Sequence, residues 1–552
     1  MTVCVQYSKP SSGQNEGEVY GLDVAVNNFL SAWFRFGTAD KFISLPVDVP
    51  SYEHFEQLAA AQGLDPAKRC IGLDPRTPKQ NLESISTIFR PDPLIGGLLW
   101  RRRQLQGPGY AACGLVHTMS GERIAQAVSE LCIAPAETGD TLICPSPAVR
   151  DAVRSLWEIN TEYLNHHFKG SYLCPIDTPV IPLGIDTEKF ARLAAAEKRA
   201  AQRQALGASD DEIVILFLGR LSFATKAHPL ALWQAAEQAA QATGRKLRVV
   251  MLGYFKPKDM ESHFRNLAAD IAKHSRIEFI ANNDPRFPDG LWAGADIFVS
   301  LADNIQESFG LTPIEAMAAG LPAVVSDWNG YRGGVRDGID GFLIPTLAPP
   351  PDTGMAIAEQ YYNEQNYGVA LVGASQSTFV DTARCAEAFA ALAGDAAKRR
   401  QMGESGRARA QDVFDWRHII KAYEELWREI AQKRRAAPRR APVPPGWAAM
   451  HPAFPNPWRM FAGFPGGFLS PATRLRIALP REAVEALMRH DMNYFEPGLL
   501  MPRELLLNFI DVLRGAGTVS AGDILAGFEA AEQPRVWRCI GWMLKLGIAV
   551  RG

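Results

Sequence analysis

ADNIQESFGLTPIEAMAAGLPAVVSDWNGYRGGVRDGIDGFLI, residues Ala302–Ile344, is the segment from which the fold is best read. It follows a short apolar run, Asp296–Leu301, opens a helix at Thr312–Pro313, stops it at Gly320–Leu321–Pro322 and enters a second apolar run, Ala323–Ser326. Thr312-x-x-Glu315 reads as a capping box with Pro313 in the first turn, and Gly followed by Pro is an ordinary stop signal. Gly310 lets the backbone come close to whatever lies above the helix end. Free N–H groups and the positive end of the helix dipole there suit a phosphate or a sugar hydroxyl.

Outward from this segment the same rhythm continues. Ile213–Gly219 (IVILFLG), Leu247–Gly253 (LRVVMLG) and Ile277–Ile280 read as buried strands, with helices over Pro229–Ala242 and Asp259–His274 between them. Strands separated by helices require crossovers, hence a parallel sheet covered on both faces. A less regular version fills residues 1–190. Its candidate strands are Val3–Tyr7, Phe42–Leu45, Cys70–Leu73, Cys113–His117, Thr141–Cys144 and Val180–Pro182. Its candidate helices are Leu22–Phe36, Tyr52–Gln62, Gly121–Leu131 and Pro147–His166. The expected fold class is α/β, with two Rossmann-like domains facing a cleft at the C-terminal ends of their sheets, where open α/β sheets bind ligands. The domains expected are 1–190, 191–435, a Pro-rich extended linker over 436–458 and a small, mainly helical, winged-helix-like domain over 459–552. Within the last, Pro502–Leu513 and Val536–Leu546 carry helical periodicity, joined by the Gly-rich turn Arg514–Gly517, and Leu546–Arg551 reads as a short strand.

Composition narrows the class. A chain of 552 residues, 47% hydrophobic and 21% charged with a net charge of −2, excludes wholesale disorder and a polyanion-binding field over the whole surface. The 8 cysteines are widely spaced with no CxxC pair, which argues against a zinc knot or disulfide framework and fits a reducing compartment. No apolar run approaches the ~18 residues of a membrane span, and Met1–Pro10 lacks the pattern of a secretory signal. The expected location is the cytoplasm.

Glu307 and Glu315, read locally, are a solvated loop acid and a helix cap. A stronger reading comes from the motif around them. Glu307–Val335, ESFGLTPIEAMAAGLPAVVSDWNGYRGGV, resembles the donor-sugar motif of GT-B glycosyltransferases, in particular family 4, in which E-x-F-G-L-x-x-x-E is followed by A-M-A-x-G-x-P. Gly219–Arg220 with Lys226 resembles the Arg/Lys pair that holds the donor diphosphate. Val180–Phe190 resembles the stretch closing the first domain, with Leu183 where Asn is usual, and Met402–Ile430 resembles the final helices, the last of which crosses back onto the first domain. The resemblance covers about residues 1–433.

It implies a role for each matching residue. Glu307 contacts hydroxyls of the donor sugar, and Glu315 accepts from the ribose hydroxyls. The backbone of Phe309, Gly310, Leu311 and Thr312 faces sugar and diphosphate. Arg220 and Lys226 neutralise the charge developing on the departing nucleoside diphosphate. His117, in LVHTMSG after a candidate strand, corresponds to a histidine near the reacting sugar. Gly13 and Gly17, after the first strand, correspond to a flexible loop approaching the phosphates and the acceptor.

The implied activity is transfer of a hexosyl unit from a UDP- or GDP-linked sugar to a hydroxyl, with retention, in surface polysaccharide or glycoconjugate synthesis. No Asp-x-Asp occurs in the chain, so the Arg/Lys pair is expected to act without a metal, and no cofactor is expected. The competing reading is a catalytically silent nucleotide-sugar-binding scaffold that acts through its C-terminal domain. That domain is expected to serve self-association or a protein partner rather than nucleic acid, since Arg503 is offset by Glu504 and Asp511. Two basic stretches, Gly96–Gln104 (GGLLWRRRQ) and residues 427–440, read as a solvated face and a basic linker. The alternative is a peripheral contact with the inner face of the membrane near a lipid-linked acceptor.

Overall fold

A computed structural model of the chain describes residues 2–9, 21–74, 79–105, 107–437, 451, 453–494 and 497–552. The chain forms two compact units, Met1–Pro452 and Ala453–Gly552.

The first unit contains two six-stranded sheets built alike. β1 (Val3–Tyr7), β2 (Phe42–Pro46), β3 (Cys70–Gly72), β4 (Thr87–Arg90), β5 (Ala111–Leu115) and β6 (Thr141–Ile143) lie in the order β3-β2-β1-β4-β5-β6. β7 (Ile213–Leu221), β8 (Leu247–Phe255), β9 (Arg276–Ala281), β10 (Ile297–Ser300), β11 (Ala323–Ser326) and β12 (Gly341–Ile344) lie in the order β12-β11-β10-β7-β8-β9. Every pairing in both sheets is parallel. This is the doubly wound GT-B architecture. Strand order reverses between β1 and β4 and between β7 and β10, and at such switch points the loops diverge and leave a crevice.

The apolar runs make these strands because both faces are covered. Along β7, Ile213, Ile215 and Phe217 enter one core cluster while Val214 and Leu216 enter the cluster on the opposite face. Each such side chain, fully buried, contributes about 1.5–3 kcal/mol before the entropy of ordering it. The helix Trp416–Ala436 carries Trp416, Ile419, Ile420, Tyr423, Trp427 and Ile430 at helical spacing. That stripe is buried in the core of the first sheet, with Phe29 4.9 Å from Tyr423 and Trp33 5.9 Å from Trp427, ring centre to ring centre. The last helix therefore crosses back onto the N-terminal half.

Several expectations are corrected. The first sheet takes Thr87–Arg90 (β4) in place of the expected Val180–Pro182, where Val180 makes only an isolated bridge with Cys144. TIFR is short and ends in a charge, so it carries little strand signal on its own. The Gly96–Gln104 stretch is no lipid-facing patch: Leu98 and Leu99 are core residues, and Arg102 is fully buried with its guanidinium on Asp140. In the 427–440 stretch, Lys433 pairs with Asp177 and Glu429, while Arg434, also buried, pairs with Glu137. Lys433 and Arg434 thus help hold the last helix against the first half. Most of the proline-rich stretch, 438–450 and 452, lies outside the described residues. At its end, Pro457–Met460 forms a short helix rather than extended chain.

The second unit is small and mainly helical. Helices Arg481–Met488, Arg503–Ala516, Ala521–Ala526 and Gln533–Lys545 pack around Leu475, Leu506, Ile510, Val536 and Ile540. A three-stranded antiparallel sheet completes it, with β15 (Arg474–Ile477) between β16 (Val519–Ser520) and β17 (Ala549–Arg551). Arg514–Gly517 does not join the two long helices directly, because β16 and the helix Ala521–Ala526 intervene. A two-residue strand has no periodicity to detect. No helix among the described residues is long and apolar enough to cross a membrane.

Candidate active site

The switch point of the second sheet gathers most of the residues singled out above. Arg220 is at the C-terminal end of β7, Lys226 in the loop that follows, and Glu307 in the loop after the neighbouring strand β10. Lys226 and Glu307 form a close ion pair, with side chains 19% and 11% exposed. Tyr331 Oη donates to Glu307 Oε2 at 3.2 Å, and the Ser308 N–H donates to Glu307 Oε1 at 3.3 Å. Burial pushes the Glu307 carboxyl up, but the Lys226 ammonium and these hydrogen bonds outweigh it and hold the group below the usual carboxylate range. Glu307 is therefore a charged, acceptor-only group suited to sugar hydroxyls.

Glu315, two turns away, differs. No hydrogen bond or ion pair reaches its carboxylate among the described residues, and burial pushes it up to about 7 against the weak pull of Lys189 and Lys226. The helix it belongs to, Leu311–Ala319, starts two residues earlier than the capping box requires. Its N-cap is Gly310, with φ 88° and no side-chain cap, and Thr312 is the second helical residue. The reason is steric. A Cβ at Gly310 would stand 2.0 Å from the Tyr331 ring, so the chain must pass this point as glycine in a left-handed conformation. Thr312 Oγ1 is thereby released from capping.

Three polar atoms around this crevice are buried without any hydrogen-bond partner among the described residues: Arg220 Nε, Gln306 Oε1 and Thr312 Oγ1. Buried polar groups are nearly always paired, and an unmade bond costs about 1–3 kcal/mol. Together with the uncapped N-terminus of the Leu311–Ala319 helix, they form surroundings chemically suited to a polar, anionic ligand. Phe309 contributes otherwise. Its ring is buried against Phe414, leaving only its backbone for a ligand. Gly219, with φ 156°, leaves its Cβ position 3.5 Å from Lys226 Cε.

The first half meets this loop directly. Ser308 Oγ donates to the His117 carbonyl, and Ser146 Oγ donates to the Ser308 carbonyl at 3.1 Å and to Asn329 Oδ1 at 3.0 Å. Asn329 adopts φ 41° and donates its amide to the Glu307 carbonyl. His117 follows β5 by two residues. Its Nε2 lies 3.0 Å from the Pro91 carbonyl, which makes it the donor and leaves Nδ1 as an acceptor, and burial lowers its pKa to about 4. The imidazole is neutral at neutral pH. Gly13 and Gly17 lie outside the described residues. Ser146, Ser308, Asn329 and Tyr331 escaped sequence reasoning, although Ser146-Pro147 is a recognisable helix start and the last three stand inside or beside the quoted motif.

Residues 198–350 match the family model described as glycosyl transferases group 1. The chain is 28% identical over 283 residues to the D-inositol 3-phosphate glycosyltransferase of Geodermatophilus obscurus, a match covering 50% of this chain and 53% of that one. It is 30% identical over 268 residues to the protein of the same name in Kineococcus radiotolerans, covering 48% and 54%. The chain thus spans about half the length of these relatives. Among solved structures, Anabaena HepE in complex with UDP aligns at 14% identity and a TM-score of 0.48, covering 78% of this chain and 100% of that one. The match over 198–350 contains β7 to β12 and every residue of the crevice from Arg220 to Tyr331. By that match the chain is similar, over residues 198–350, to the glycosyl transferases group 1.

Proposed function

We propose that the protein transfers a hexosyl unit from a nucleotide diphosphate sugar, UDP- or GDP-linked, to a hydroxyl acceptor, with retention and without a metal. One observation carries the reading: Arg220, Gln306 and Thr312 hold unpaired buried polar atoms around the Lys226–Glu307 pair at the switch point. Arg220 and Lys226 offset the charge of the leaving diphosphate, where preorganised cations are worth most. Glu307 accepts from sugar hydroxyls and Glu315 from ribose hydroxyls. Since hydroxyls bind the carboxylate form, donor affinity is expected to rise as pH climbs through the Glu315 pKa of about 7.

In the step itself, the acceptor oxygen bonds to the anomeric carbon while the bond from that carbon to the diphosphate oxygen breaks. The acceptor proton passes to the departing diphosphate on the same face. The products are the glycoside and a nucleoside diphosphate. The names of the relatives support glycosyl transfer to a hydroxyl. The setting we favour is synthesis of a surface polysaccharide or glycoconjugate in the cytoplasm, at the inner membrane face where the acceptor is lipid-linked.

A thermal-shift panel of nucleotide sugars tests donor binding. A true donor at 100 times its dissociation constant adds about 2.7 kcal/mol of stability, and no stabilisation by any donor defeats the reading. Proton NMR of the first-formed product tests retention, and full activity after chelator treatment tests metal independence. A second reading, a silent nucleotide-sugar-binding scaffold, draws on the separately folded Ala453–Gly552 unit and its apolar groove of about 500 Å³. Release of nucleoside diphosphate only when an acceptor is present excludes it.

A further inference from the structure

Helices Met355–Glu364 and Tyr367–Gln376 form a hairpin that belongs to neither sheet. It is inserted between β13 (Thr346–Leu347) and β14 (Phe379–Val380), which pair antiparallel and hold its two ends together. It also lies beyond the residues matched by the family model. We propose that this hairpin walls an acceptor pocket in the cleft, and that the pocket takes a neutral, hydroxyl-bearing acceptor, an oligosaccharide or polyol, rather than a phosphorylated one. The proposal rests on the transferase reading above.

Three parts of the first unit converge on a cavity of about 350 Å³. Tyr367 comes from the hairpin, Ser120 and Val149 from the first half, and Ser308, Trp328 and Asn329 from the second. The volume is within the range of about 300–1,000 Å³ typical of small-molecule sites. Its position is suited to an acceptor. Ser308 is the neighbour of Glu307, and Asn329 donates to the Glu307 carbonyl, so a molecule in the cavity abuts the loop that carries the sugar-gripping carboxylate.

The chemistry of the lining selects the class. Arg332 is its one charged side chain, and Asp327 neutralises it, with Nε donating to Oδ1 at 2.6 Å and Nη2 to the Asp327 carbonyl at 3.0 Å. No cation without an acidic partner stands among the lining residues. What remains is a set of hydroxyl and amide groups, with two aromatic side chains, Trp328 and Tyr367. Hydroxyls bond to the first, and the apolar faces of a sugar ring pack on the second. The Trp328 indole N–H donates to the Asn304 carbonyl at 3.1 Å, so that wall is tethered.

The test uses the full-length chain with a UDP- or GDP-hexose that gives a thermal shift. Acceptors are glycerol, myo-inositol, lactose and maltotriose, each against a phosphate ester of the same or a closely related compound. At least one neutral acceptor is expected to be turned over in preference to its phosphate ester. Tyr367→Ala should raise the KM for that acceptor about 10-fold, a loss of about 1.4 kcal/mol of binding, and leave the donor thermal shift unchanged. Tyr367→Phe keeps the ring and should restore KM to within about threefold. An unchanged acceptor KM in Tyr367→Ala, or preference for phosphate esters, overturns the inference while the donor shift still upholds the transferase reading. Absence of any donor shift in the unsubstituted protein removes that reading, and the inference with it.

Discussion

Each half of the first unit buries an ion pair, and the two pairs do opposite work. In the first half, Asp140 holds the Arg102 guanidinium through both oxygens, and the carbonyls of Tyr110 and Pro135 take further N–H groups. Asp140 also accepts from the N–H groups of Ala112 at 3.0 Å and Glu137 at 2.7 Å. Both side chains are fully excluded from solvent. In the second half, Lys226 and Glu307 are paired but partly open, and the polar atoms of Arg220, Gln306 and Thr312 nearby lack partners. Burial of charge alone does not identify a functional site. In the first pair both Asp140 oxygens are taken by Arg102 and backbone N–H groups, which marks structure. The Lys226–Glu307 pair is partly open and has unpartnered polar atoms beside it among the described residues, an arrangement suited to completion by a ligand.

That contrast can be broken by substitution. Asp140→Asn removes the charge that compensates Arg102 and is expected to cost about 3–5 kcal/mol, read as a lowered denaturation midpoint. Lys226→Ala should instead act on turnover, lowering kcat by about 10²–10³ and abolishing the donor thermal shift, with a stability loss less than half that of Asp140→Asn. Should the two variants exchange these effects, the distinction between structural and functional pair is wrong.

A subtler contrast concerns pH. Burial favours the uncharged form on both sides of the cleft, lowering His117 to about 4 and raising Glu315 to about 7. Between its ordinary value and about 7, folded Glu315 keeps a proton that the unfolded chain has lost, so its contribution to stability is lost as pH rises. Between about 4 and its ordinary value, folded His117 refuses a proton that the unfolded chain binds, so its contribution is lost as pH falls. Glu315→Gln is therefore expected to gain about 2–3 kcal/mol over the parent as pH rises from about 5 to 7. His117→Asn should show the opposite trend, gaining as pH falls from about 6.5 to 4. Chemical denaturation across that range checks both, and parallel slopes in parent and variants would show that neither group is buried as described.

The smallest effect concerns backbone. Gly310→Ala forces a side chain onto a residue at φ 88° facing the Tyr331 ring, and is expected to cost about 1–3 kcal/mol with a weakened donor shift. An unaltered donor shift would mean that the helix N-terminus does not contact the ligand.

Much of this was legible beforehand, for reasons of pattern. β7, β8 and β11 are continuous apolar runs bounded by loops, so their burial on two faces shows in the sequence. Thr87–Arg90 and Val519–Ser520 were missed because four and two residues carry no usable period. The capping box at Thr312 failed for a different reason: the Tyr331 ring, distant in sequence, fixes where the helix can begin. Arg102 and Arg434 looked like surface charge because their partners Asp140 and Glu137 are far along the chain.

What the order of residues determined on its own is the alternation of strand and helix, the glycine and proline punctuation around Leu311–Ala319, and the types of residue at the two strand ends. These are local properties, governed by propensity and periodicity. Only the tertiary structure decided which charges are satisfied and which are left open, that His117 is neutral while Glu315 titrates near neutrality, and that a helical hairpin closes one side of the cleft. Desolvation and hydrogen-bond partnership depend on neighbours brought together from distant parts of the chain, and no local pattern encodes them.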